Sequence, residues 1–222
     1  MSTILAIETA TPVCSIAIRS GNGVISEKKI KGSGVHSANT FLFIQELMEE
    51  YANQTGDLDF VLFSHGPGSY TGLRIGASAI KGLLFNQKIP LYSLSSLTSY
   101  ASPFLINKPQ IVHSVIDARR EHLYYQKIVK TVEYDLELSE EKILKITDIE
   151  MNIKRGDIVT GTGLHRINYL HKTADTWIDE ENISAKNLII AWEDTALRRL
   201  FKERSVELFE PEYLTMSQLN NQ

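Results

Sequence analysis

The stretch His65-Gly66-Pro67-Gly68-Ser69-Tyr70-Thr71-Gly72-Leu73-Arg74-Ile75-Gly76 lies between two apolar segments: Phe60 to Ser64 before it, and a glycine-bearing run to about Phe85 after it. The first segment reads as a strand and the second as a helix, so the Gly-Pro-Gly bend is a strand-to-helix loop. Such a loop presents backbone N–H groups at a helix start, the usual cradle for an anion, with Gly66, Gly68 and Ser69 as its candidates. Glycine also serves such loops simply by letting them turn. The position of the stretch downstream of ILAIETATPVCSIAI, residues 4–18, makes the reading sharper.

Upstream, Ile4 to Thr9 and Val13 to Arg19 read as strands joined by a turn holding Thr11-Pro12, and Gly21-Asn22-Gly23 leads into a third, Val24 to Ile30. A helix from His36 to Ala52 comes next. Three antiparallel strands followed by helix, strand and helix predict a mixed sheet with helices packed on it. Pro90 to Leu94 and a short helix from Ser95 close this unit, and Ala101 to Gln110, with Pro103 and Pro109, reads as a connection to a second lobe. In that lobe Ile111 to Ile116, His122 to Val129 and Asp157 to Thr160 are strand candidates. The bend Gly161-Thr162-Gly163 comes after them, and a long helix is expected from about Ser184 to Arg204. Residues 130–152 are charged and weakly patterned, and the letters show no internal repeat. The expected architecture is α/β and two-lobed: residues 1–100 in the first lobe, 101–222 in the second, the last helix packing back on the first.

Composition bounds the function. The 222 residues are 43% hydrophobic and 23% charged with a net charge of −4, ordinary for a globular protein and unlike a chain built to bind polyanions. The single cysteine, Cys14, excludes an internal disulfide framework and falls in an apolar strand, where a thiol is a packing group. Glu8 interrupts the first apolar run and no positive charge precedes it, unlike a signal peptide, and the apolar runs are far too short to span a bilayer. A cytoplasmic protein is expected.

The two first-lobe helices carry more apolar surface than one sheet contact needs. In the His36 helix, Phe41, Phe43, Ile44, Leu47, Met48, Tyr51 and Ala52 sweep about half the circumference at 3.6-residue periodicity. The helix from Thr71 is apolar or glycine nearly all round, with a polar stripe of Arg74, Ser78 and Lys81. Gly72, Gly76 and Gly82 leave room for another backbone. Close packing within one chain and an interface completed by another subunit both account for this.

Candidate chemistry is sparse. Glu8 ends a strand beside Thr9 and Thr11, an arrangement that in a nucleotide-binding lobe would offer a carboxylate to Mg²⁺ or water and hydroxyls to phosphate. It is also an ordinary hairpin turn. Gly161 and Gly163 are candidates to face an adenosine, or simply to turn the chain. None of the six histidines lies four residues from another, and no GxSxG elbow occurs. No persuasive catalytic constellation emerges, and no metal site.

ILAIETATPVCSIAI, a histidine opening a helix, HGPGSYTGLRIG, IDARR at residues 116–120 and Pro211-Glu212-Tyr213-Leu214 occur in the order seen in the TsaB (YeaZ) family, which the chain resembles. Glu8, Tyr70 and Arg120 stand where Asp, Phe, and Met or Lys are common. The resemblance implies an actin/Hsp70/sugar-kinase type of fold. It also implies a part in installing N6-threonylcarbamoyladenosine beside the anticodon of tRNAs reading ANN codons, as the non-catalytic partner of the TsaD transferase, with TsaE as a third, ATP-binding component. TsaD carries an HxxxH metal motif where this chain has Ser96 and Tyr100, neither suited to replace a histidine ligand. The resemblance further implies pairing through the first-lobe helices, with TsaD or a second copy. That places His36, Phe41, Ile44, Met48, Gly72, Arg74, Gly76, Ser78 and Lys81 near the interface. No cofactor is required for such a role; ATP or ADP at the interface or in the cleft, and modest tRNA contact, stay open. The competing readings are an ATPase or small-molecule kinase of the same fold using Glu8, Thr9 and the glycine loops, and a metalloprotease, which the missing motifs disfavour.

Overall fold

The computed structural model describes residues 2–52, 54–106, 108–133, 135–167, 176–178 and 180–214. Its frame rests on the period-2 rule that successive strand side chains point to opposite faces. β1 (Ile4–Glu8) lies between β2 (Val13–Arg19), antiparallel, and β4 (Phe60–Ser64), parallel. Along β1, Leu5 and Ile7 enter one core and Ile4 and Ala6 the other; β2 repeats this with Ile16 and Ile18 against Ala17, and β4 with Val61 and Phe63 against Leu62. A strand buried on both faces has to be a central one, and β1 is. β3 (Ile25–Lys31) and β5 (Leu91–Leu94) flank the group.

The first face is covered by α1 (Val35–Tyr51) and α2 (Tyr70–Leu83), which contribute Ile44, Leu47, Met48, Leu73, Ala77 and Ile80 to the core. The opposite face receives α3 (Ser96–Ala101) and the later helix α5 (Lys186–Glu193), and through them it meets the second sheet. That sheet holds β6 (Gln110–Asp117), β7 (His122–Lys130) and β8 (Leu136–Leu138) as an antiparallel meander, with β9 (Lys142–Lys145) also pairing β7. β10 (Ile158–Thr160) pairs parallel to β6, and β11 (Thr176–Ile178) parallel to β10. α4 (Ile146–Glu150) packs Ile149 under this sheet. The fold is therefore α/β, two mixed sheets flanked by helices, with the same wiring twice: a meander, then parallel strands added beside the meander's first strand. The letters conceal this repeat because topology, not residue identity, is what recurs.

Three regions differ from expectation. The helix expected from Ser184 to Arg204 is α5 (Lys186–Glu193), α6 (Thr195–Arg198) and a strand, β12 (Lys202–Arg204). Asp194 makes the break: its backbone is extended and its carboxylate accepts from the N–H groups of Ala196 and Leu197, capping α6. α5 packs on β1, β2 and β4, and β12 pairs antiparallel with β5, so the edge of the first sheet comes from the far end of the chain. The segment expected as an open connection, Ala101 to Gln110, is partly core: Ala101, Ser102 and Leu105 are buried, and the Ser102 hydroxyl donates to Asn187 O. The unplaced region 130–152 supplies β8, β9 and α4.

Candidate functional site

The glycine loop joins β4 to α2, and its shape is set by contact with the β1–β2 turn. Ser69 N donates to Ala10 O at 2.6 Å, Gly66 N to Ser96 Oγ at 3.2 Å, and Gly72 N to Ser69 Oγ at 3.2 Å, which caps α2. A Cβ on Gly68 would stand 2.1 Å from Ala10 O, one on Gly72 2.1 Å from Thr9 O, and one on Gly76 2.4 Å from Thr9 Oγ1. The loop's amides at 66, 69 and 72 are thus satisfied inside the chain, which corrects the expectation of an open anion cradle for Gly66 and Ser69. Gly72 and Gly76, expected near a partner, bring α2 onto β1 instead. The second glycine turn behaves alike: Gly161 has φ +113°, its Cβ would lie 2.1 Å from Val115 O, and Gly163 N donates to Val115 O. Both glycines clamp the turn to β6 rather than face an adenosine.

Glu8 is fully buried, its Oε1 accepting from Ala10 N at 2.6 Å and from the Tyr100 hydroxyl at 2.9 Å. Burial pushes its carboxyl up to about 7. It faces the core, not solvent, which corrects its reading as a carboxylate for Mg²⁺ or water. Thr9 is buried beside it, and only Thr11 of this group reaches a cavity wall. Ser96 and Tyr100 are both engaged internally, the first by Gly66 and the second by Glu8.

That cavity, of about 600 Å³, opens between the two sheets' ends. Its walls come from the β1–β2 turn (Ala10 to Pro12), the entry to α1 (Gly32 to Ser37), the start of α2 (Ser69 to Gly72, Ile75) and the second sheet (Ile116, Asp117, Arg119, Thr162, His165). Asp117 is paired with Arg166 at 2.6 Å and accepts from Arg119 N at 2.8 Å. His36 is 7% exposed in the wall, and its Nε2 has no hydrogen-bond partner.

On the outer side of α1 and α2 lies a different surface. Phe41 is 52% exposed and Tyr70 53%, and the Arg74 guanidinium stacks over the Tyr70 ring at 3.9 Å. With Ser37, Thr71, Ile75 and Ser78 they line a shallow pocket of about 450 Å³. A second hollow lies between Phe41 and Leu83, with Ile44 and Met48 at its floor, both mostly buried. Lys81 reaches Glu207 O. Of the residues expected near a partner, Phe41, Arg74 and Ser78 face outward, while His36 turns into the cleft.

Two polar clusters escaped sequence reading because their members lie far apart in the chain. His65 Nδ1 contacts Ser93 Oγ at 3.1 Å, and its Nε2 lies 3.5 Å from Glu212, which Arg204 also binds. This serine–histidine–glutamate order resembles a hydrolase triad, yet Ser93 is fully buried and accepts from Arg204 Nε at 2.8 Å. Burial pushes His65 down to about 4. The cluster fastens residues 204–213 onto β4 and β5, helped by Glu212 N donating to His65 O and by Phe209 packing edge-on against Phe63. In the second sheet His113 bridges Tyr125 and Asp157 at 2.8 and 2.9 Å, wholly enclosed.

Comparison with known proteins places this geometry among relatives. The family model described as "TsaD: tRNA N6-adenosine threonylcarbamoyltransferase" matches residues 19–157. A tRNA threonylcarbamoyladenosine biosynthesis protein TsaB from Buchnera aphidicola (subsp. Acyrthosiphon pisum) is 32% identical over 164 residues, covering 71% of this chain and 73% of the relative. TsaB of Haemophilus influenzae is 31% identical over 131 residues, 58% of this chain; the match spans about half of that relative's length, 54%. The solved structure of YeaZ from Pseudomonas aeruginosa has the same fold, with a TM-score of 0.76 at 23% identity over 96% of this chain and 100% of that one.

Proposed function

This chain belongs to the TsaB (YeaZ) family, whose relatives serve tRNA threonylcarbamoyladenosine biosynthesis, and from that premise we propose that it is a non-catalytic scaffold that binds and supports the TsaD transferase. One observation carries the proposal: an outward face on α1 and α2 that combines half-exposed Phe41 and Tyr70 with the Arg74 guanidinium stacked on Tyr70. Aromatic and arginine side chains around shallow hollows are the composition of interface hot spots. A buried Glu8 leaves an ATPase or kinase reading without its metal-orienting carboxylate. The scaffold works in the cytoplasm, needs no cofactor of its own, joins TsaE through the TsaD complex and touches tRNA indirectly or modestly; alone it pairs with a second copy through the same face.

Light scattering during gel filtration, on this chain alone and mixed with TsaD from the same organism, tests the proposal. The expected result is a dimer that converts to a mixed complex, with Arg74→Glu and Ser78→Trp together abolishing both while the melting temperature holds. No association in the presence of nucleotide and TsaE would overturn it.

A further inference from the structure

The segment after β12 carries an inference that deepens the proposed function and rests on its reading of the outward face of α1 and α2 as the place where TsaD docks. Residues 205–213 touch α2 near both of its ends. Lys81 Nζ, in the last turn, donates to Glu207 O at 3.1 Å. The Tyr213 ring packs on the Tyr70 ring, in the first turn, with centroids 5.0 Å apart. Tyr70 and Lys81 are separated by roughly 16 Å of helix, so this strap borders α2 over most of its length.

The strap is fastened before it reaches Tyr70. Phe209 is buried and packs edge-on against Phe63 of β4. Glu212 N donates to His65 O at 2.9 Å, and the Glu212 carboxylate is bound by Arg204, with His65 Nε2 at 3.5 Å. Glu212 O lies so close to Gly66 that a Cβ there would collide with it. The next residue is Tyr213, whose hydroxyl is buried and makes no hydrogen bond among the described residues. No polar contact at the tip places this ring. Its position is inherited from the latch at Glu212 and from the apolar core it packs against.

What the ring does follows from Tyr70. That side chain is 53% exposed and stands one turn before Arg74 on the same helix face, where the guanidinium lies 3.9 Å over its ring centre. A half-exposed tyrosine with solvent on every side samples several rotamers, and an arginine stacked on it follows. Tyr213 closes off one flank of Tyr70. Immobilising a long side chain at an interface costs binding free energy, and a side chain already held does not incur that cost again. Arginine, with its long flexible stem, has much to lose.

We propose that residues 205–213 are a strap that presets the partner face, with Tyr213 as a positioning residue that fixes Tyr70, and through Tyr70 the Arg74 guanidinium, before TsaD arrives. The face is then completed by a segment distant in sequence from α1 and α2. Calorimetric titration of the full chain with TsaD from the same organism tests this. Tyr213→Ala is expected to weaken binding about tenfold. Tyr213→Phe keeps the ring and loses only a hydroxyl without a partner, so it is expected to bind as the unmutated chain does. In an Arg74→Ala background Tyr213→Ala is expected to add little, because the two changes remove one coupled unit. A strap that only stabilised the fold would weaken both backgrounds alike.

NMR of the isolated chain reads the same coupling without TsaD. The ring-current shift that Tyr70 imposes on the Arg74 side chain is expected to collapse in Tyr213→Ala and to persist in Tyr213→Phe. Glu212→Ala, at a half-exposed side chain, loosens the latch without opening the core. It is expected to reduce both the affinity and the shift by a smaller factor, so the test survives a Tyr213→Ala that fails to fold. If the unmutated chain does not bind TsaD, the scaffold reading falls, and the Arg74 shift still decides whether the strap sets the pair. If it binds, and Tyr213→Ala and Glu212→Ala leave affinity and shift unchanged, the scaffold reading stands and the strap proposal is overturned. An equal loss from Tyr213→Ala in the Arg74→Ala background overturns it as well.

Discussion

The two sheets share one wiring, yet their strand-end carboxylates live in opposite surroundings. β1 ends on Glu8, drawn into the core and bonded to Tyr100; β6 ends on Asp117, at the cleft and paired with Arg166. Each sheet then places a glycine turn against its first hairpin: Gly68 against Ala10 O, Gly161 against Val115 O. Beyond the turns the two sheets diverge again. Among the described residues, the first sheet continues into the fourteen residues of α2 and the second into a three-residue turn, Leu164–Arg166. The scaffold that holds the turns is common, while among the described residues the long helices with an outward face belong to one copy. Shared topology fixes where a carboxylate stands; its neighbours from elsewhere in the chain fix whether it is an acid in the core or a charge in the cleft.

The largest effect that tests the common part is at the turns. Gly161→Ala and Gly68→Ala each drive a Cβ to 2.1 Å from a backbone oxygen, and Gly161 adds a positive φ. Both are expected to cost about 3 kcal/mol or more in denaturant unfolding; a cost confined to one would break the equivalence of the two turns.

The next effect sharpens the difference. Glu8 is raised from 4.5 to about 7, so the folded chain holds a proton that the unfolded chain releases. Stability is then full below about 4.5, falls as pH rises toward about 7, and levels off above it. Glu8→Gln, which keeps both acceptor contacts, is expected to flatten that fall and to leave the variant more stable above pH 7, by on the order of 3 kcal/mol. An unchanged pH profile would place Glu8 in a polar environment like that of Asp117.

Smaller still, Arg166→Ala removes the partner of a part-exposed Asp117 and is expected to cost about 1 kcal/mol in thermal melts, reduced by salt. Smallest is Gly82→Ala: this glycine is exposed near the end of α2 with nothing within 4 Å of a Cβ. The variant is expected to gain roughly 0.5 kcal/mol, unlike Gly68 and Gly161, and a loss would show that α2 needs the gap.

Much of the first sheet was legible because its strands are two-faced apolar runs and its turns carry Gly, Pro or Asn in fixed places. The two helices were legible from their periodicity. β12 was not, because Lys202-Glu203-Arg204 has no apolar pattern; an edge strand needs only backbone partners. The break at Asp194 carried a signal in the acidic residue before Thr195, a residue type suited to an N-cap, hidden inside a helical period. At the site, residue types were readable but their directions were not. Glu8 meets Tyr100 across 92 positions, and His65 is bonded to Ser93 across 28. The orphaned Nε2 of His36 could not be seen in letters at all, since it is defined by what does not approach it.

The fastening of residues 202–213 onto β4, β5 and α2 has a consequence for how the chain is made. The first sheet lacks its edge strand, and Phe63 its partner Phe209, until residues 202–209 have left the ribosome. At synthesis rates of about 5–20 residues per second, the hundred or so residues after β5 hold that moment back by roughly ten seconds. Through that interval the apolar surface of α2 and β4 stays open to chaperones, and the first sheet closes only after the strands of the second have been made.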